Sequence, residues 1–106
     1  MAEREPVTID EGSAFHALGL DDADDLVLRA ELLRRLAAII RERGLTQSRA
    51  GSLMGMDQPR VSALMNGRIS KFSTDRLLQA LSDLGQDVEL RITPSKGAKG
   101  RLSVGA

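Results

Sequence analysis

"TQSRAGSLMGMDQPRVSALMNG", residues 46–67, carries two short runs of helical character on either side of a Gly-Met-Asp turn. Thr46 is a good helix cap, because its side-chain oxygen accepts one of the backbone N–H groups that a first turn leaves without a partner. Ala50, Leu53 and Met54 then recur at helical spacing as an inward face. Gly55 stands where that helix must end in a sharp turn, which a residue without Cβ makes at no steric cost. Asp57 caps a second helix, and Pro59 falls in its first turn, where the missing backbone donor costs nothing. Val61, Leu64 and Met65 form its apolar side, and Asn66-Gly67 ends it. The second helix is therefore about two turns long, held down by three apolar residues, with its amino end left polar.

Working outward, the long run before Thr46 starts at the acidic "DDADD", favoured by the positive end of a helix dipole. Leu26, Ala30, Leu33, Ala37 and Ile40, flanked by Leu36 and Ile39, recur at the spacing of one buried face. Arg41, Arg43 and Gly44 supply the basic last turn and the stop. Ser13 to Leu18 reads as one further short helix stopped at Gly19, and residues 1–12 as an irregular acidic lead-in. On the other side, "RISKF" is a loop. Ser73 caps a helix to Leu84 with Leu77, Leu78, Leu81 and Leu84 as its stripe and Gly85 as its stop. "DVELRIT" alternates Val88, Leu90 and Ile92 with charged residues, the period of a strand with one buried face. A lone strand needs a partner for its backbone groups, and a second copy of the chain is the expected source. "PVTI" near the N-terminus or another protein are the alternatives. The Gly- and Lys-rich residues 94–106 read as a flexible basic tail.

Length and composition bound what this chain does. One hundred and six residues, 42% of them apolar, suit one domain with a modest core. Charges interrupt every apolar stretch well short of the roughly 20 residues a membrane span needs, and the acidic N-terminus lacks the features of a secretory signal. A cytoplasmic protein is expected. No cysteine is present, which removes disulfides, thiolate catalysis and Cys-based zinc sites, and the single His16 makes no metal site alone. His16 has no second titrating group, phosphate loop or triad order beside it, so an enzyme is not expected, nor a cofactor. Asp21, Asp22, Asp24 and Asp25 lack the spacing of a calcium loop. Formal net charge is zero but uneven: residues 1–35 hold nine acids against four arginines, and the remaining 71 hold eleven basic groups against six acids. On charge alone a solvated face explains this as well as a partner does.

Two short helices joined by a tight Gly-containing turn are the signature of a helix-turn-helix, whose second helix enters the DNA major groove amino end first. The residues add a resemblance. Thr46, Gln47, Gly55, Met56, Gln58, Val61, Ser62, Leu64, Asn66 and Gly67 match, without a gap, the pattern of phage repressor and Cro-like (XRE-type) regulators. "KFSTDRLLQALSDLGQDVELRI" and the lead-in "SAFHALGL" are similar to a branch that includes HigA-like antitoxins, partners of RNA-cleaving toxins. The resemblance covers residues 13–93 and departs from the family at Gly51, where Ala is usual, at Met54 for Leu and at Asp57 for Ser.

The resemblance implies an all-α, lambda-repressor-like domain of about five helices with one C-terminal β-strand pairing across a dimer. Double-stranded operator DNA and a second copy of the chain are the implied partners. A toxin contacting the acidic N-terminal third is a further one. A free-standing phage-like regulator and a pure protein-interaction module are the competing readings. Gln58, Pro59, Arg60 and Ala63 are the expected base-reading set. Gln58 pairs with adenine or braces Gln47, Arg60 reaches a guanine edge or a phosphate, and Ala63 offers a methyl to thymine. Thr46, Gln47, Ser62, Asn66, Arg68, Lys71 and Ser73 line up with phosphate contacts, Ser62 and Asn66 serving alternatively to brace the helix. Phe72 reads as core, and Arg49 and Arg76 as contributors to the positive field.

Overall fold

The computed structural model describes residues 22–97 and residue 104. The acidic lead-in, the short helix expected over 13–18 and His16 lie outside the described residues. Helix α1 spans Asp22–Glu42, α2 Gln47–Met54 and α3 Gln58–Met65. A 3-10 turn, Ile69–Lys71, leads into α4, Thr74–Asp83. The caps read at Thr46, Asp57 and Ser73 are formed: they accept the backbone N–H groups of Arg49, Arg60 and Arg76 at 3.0, 3.0 and 3.1 Å.

The core is one cluster. Leu28, Leu32, Leu33, Leu36, Ala37 and Ile40 of α1 pack with Ala50, Met54, Met56, Val61, Leu64, Phe72, Leu77, Ala80, Leu81 and Leu84. Leu26, expected on the buried face, is 49% exposed, while Leu28 and Leu32 take its place. The two apolar rows border the same stripe, and packing against α4 and the 3-10 turn centres that stripe on the Leu28–Leu32–Leu36 row.

The turn between α2 and α3 depends on two glycines. Gly55 has φ +68, and the next N–H, that of Met56, returns 2.9 Å to the carbonyl of Gly51. Gly51 is buried beneath that turn: a Cβ there would sit 2.6 Å from the Met56 carbonyl oxygen and 3.3 Å from Val61 Cγ2. An added methyl group there would therefore have to displace the turn.

Three long arginine contacts tie the elements together. Arg29 of α1 pairs with Asp25 at 3.0 Å and points Nη1 at the carbonyls of Ile69 and Phe72, 3.4 Å from each. Asp25 also accepts the Thr74 hydroxyl at 2.8 Å. Arg43 donates to the Leu84 carbonyl at 2.9 Å, joining the carboxyl ends of α1 and α4.

Among the described residues no strand is formed. Beyond Gln86 the backbone makes no helix or ladder contact among the described residues, and Ile92, expected on a buried face, is 86% exposed. A strand exists only through bonds to a neighbour, and no other described segment of the chain lies alongside as one. Val88, Leu90 and Val104 instead edge an open groove of about 850 Å³ against Leu32, Ile39, Leu78 and Leu81. Val104, within the tail expected to be flexible, packs against the core cluster. None of the helices among the described residues is long and apolar enough to cross a membrane.

Candidate nucleic-acid interface

α3 divides sharply into a buried side and an open front. Val61 and Leu64 have no exposure, whereas Gln58, Pro59 and Arg60 at the amino end are all exposed. Asp57 spends one carboxylate oxygen on the Arg60 backbone N–H, which fixes the first turn and leaves the helix front ordered. The Gln58 amide has no hydrogen-bond partner among the described residues, so it does not brace Gln47 there. Gln47, the first residue of α2, is half-buried.

Ala63 is half-buried rather than on the open side, and it rests against the core cluster. Ala63 adjoins the buried Leu64 at the edge of the inward face, and after the helix the chain doubles back so that the Arg68 N–H bonds the Ala63 carbonyl at 3.0 Å. Ser62 and Asn66 form a brace at the carboxyl end. Asn66 Nδ2 donates to the Ser62 carbonyl at 2.9 Å and to its hydroxyl at 3.3 Å.

The remaining candidates gather where α3 passes into α4. Arg68, Lys71 and Ser73 are exposed along this connection. The Arg60 guanidinium reaches across to it, 5.0 Å from the centroid of the Phe72 ring. Phe72 itself is core, 2% exposed. Thr46 caps the amino end of α2 and Ser73 the amino end of α4, and first-turn N–H groups at a helix amino end suit anions.

Protein-family comparison matches residues 14–93 to a helix-turn-helix domain. A solved structure provisionally named an XRE family transcriptional regulator is 39% identical over 81% of this chain and 99% of its own, with a TM-score of 0.73. The chain belongs to the XRE family of helix-turn-helix regulators. Comparison with curated proteins finds no match. In an XRE-type domain this geometry assigns α2 the bracing role and α3 the place of the helix presented to DNA.

Two functional supports escaped the sequence. Arg76, read as a contributor to the field, is half-buried and donates to the Met54 carbonyl at 2.6 Å, with Asp83 3.9 Å away. It caps the end of α2 just before the turn and ties that end to α4. Asp25, read only as a helix-start acid, anchors Arg29 and Thr74. The Arg76–Met54 and Thr74–Asp25 contacts join residues more than 20 positions apart, and no local pattern announces them. Among the described residues no three metal-ligating side chains cluster.

Proposed function

We propose that this XRE-family protein is a sequence-specific DNA-binding repressor that acts as a symmetric dimer, and that it is the autoregulating antitoxin of a toxin–antitoxin pair. The observation that carries the DNA-binding part is the ordered, exposed front of α3 above a wholly buried Val61 and Leu64. A short helix presented in this way by a bracing neighbour fits the major groove. Gln58 and Pro59 face base edges with Ala63 behind them, and Arg60 stands at their flank. Thr46, Gln47, Arg68, Lys71 and Ser73 meet phosphates on either side, with Ser62 and Asn66 securing the helix between them.

The open edge of residues 86–95, with Val88 38% and Ile92 86% exposed, supports pairing of Val88, Leu90 and Ile92 with the same segment of a second copy. Two recognition helices then read half-sites about one helical turn apart or a multiple of it. The surplus of acids in residues 1–35 suits a basic, RNA-cleaving toxin.

The test is to identify the adjacent reading frame and co-express the two products. A small basic neighbour that stops growth alone and co-purifies with this chain supports the antitoxin. If there is no such neighbour and the chain still shifts its own promoter DNA, it is a free-standing repressor.

A further inference from the structure

Arg60 does not extend freely from the front of α3. Its guanidinium carbon lies 5.0 Å from the centroid of the Phe72 ring, and Nη2 is 3.4 Å from the carbonyl oxygen of Lys71. Both partners belong to the connection between α3 and α4. To read a guanine edge the guanidinium must lie ahead of the helix, in the groove. Over Phe72 it lies beside the helix, on the flank where Arg68 and Lys71 are also exposed.

The platform is rigid, because Phe72 is 2% exposed and fixed in the core. A cation over an aromatic face is attracted to the ring, and the stack restricts a long side chain before any ligand arrives. Stacking uses the face of the guanidinium and, apart from the long Nη2 contact to the Lys71 carbonyl, leaves in-plane N–H donors for the forked pairing that phosphate oxygens accept. Resting on the DNA-binding reading above, the geometry points to Arg60 as a clamp for a DNA phosphate, with Phe72 as the residue that positions it. Sequence reading at the front of α3 then falls to Gln58 and Pro59.

The stack itself can be tested without DNA. The chain has two phenylalanines and no tyrosine or tryptophan, so ring-current shifts near position 60 have few sources. NMR of the free protein should show the Arg60 δ-methylene protons moved upfield, and Phe72→Leu should return them to ordinary values. Unshifted protons in the unaltered protein overturn the stack and the clamp with it.

The clamp is tested by fluorescence anisotropy over a salt series, on a duplex selected from a random pool by the unaltered protein and on unselected duplex. Arg60→Ala should weaken both on the order of tenfold and flatten the salt slope by about one unit. Arg60→Lys should restore the slope but only part of the affinity, because an ammonium neither forks nor stacks as well. Gln58→Ala, by contrast, should weaken the selected duplex alone. Loss confined to the selected duplex in Arg60→Ala makes Arg60 a base reader and overturns the clamp. If the unaltered protein shows no salt-dependent affinity for either duplex, the DNA-binding reading fails, and the ring-current result still decides the stack separately. Both Arg60 variants alter an exposed side chain, so they carry the test even where Phe72→Leu does not fold.

Discussion

Position 51 shows how much the absence of one methyl group sets. A Cβ on Gly51 would meet the Met56 carbonyl oxygen at 2.6 Å, and that oxygen belongs to backbone held in a tight turn. Helix propensity favours Ala over Gly by about 1 kcal/mol, but relieving a backbone clash in a packed core costs about 1–3 kcal/mol. Gly51→Ala should therefore lower stability by up to about 2 kcal/mol in denaturant titration, and a gain in stability would show that the turn can move. At the front of α3, Gln58→Ala should cost about 1–3 kcal/mol on a selected operator with little change on random duplex. Equal loss on both would remove Gln58 from the readers. The three caps and the turn at Gly55 were legible because each is a signal within four residues of chain. The Arg60–Phe72 stack was not, because a contact spanning twelve residues and a turn leaves no periodic trace.

Among the elements, α2, α3 and α4 were read from the sequence nearly to their ends, since caps and glycines mark both sides of each. The inward row of α1 was harder to read. A helix of 21 residues with two adjoining apolar rows does not state which one its neighbours will cover, and α4 with the 3-10 turn decided it. The same junction holds the Asp25–Arg29–Thr74 network, which fixes the start of α4 against α1. A double-mutant cycle of Asp25→Ala and Thr74→Val should show coupling of about 0.5–3 kcal/mol in unfolding free energy. Additive losses would mean that the 2.8 Å hydrogen bond contributes nothing of its own. Arg76 links α4 to the end of α2 in a similar way, just ahead of the turn into α3.

In the whole molecule, the family was legible from the register of one 22-residue stretch, whereas assembly was not, because a strand is completed only by its partner. If residues 88–92 pair across a dimer, Leu90→Asp should give a monomer in sedimentation at micromolar concentration, and an intact dimer would place the interface elsewhere. Lys71→Ala should weaken binding on every sequence and reduce the salt slope by about one. An unchanged slope would take Lys71 out of the phosphate set. The most direct measurement is the affinity and stoichiometry of the unaltered protein on a selected duplex across a range of salt. A dimeric XRE-type repressor should bind as two protomers, protect two half-sites about one helical turn apart, and lose affinity linearly in log salt. Affinity that is absent, or that does not change with salt, would contradict DNA binding by the exposed front of α3.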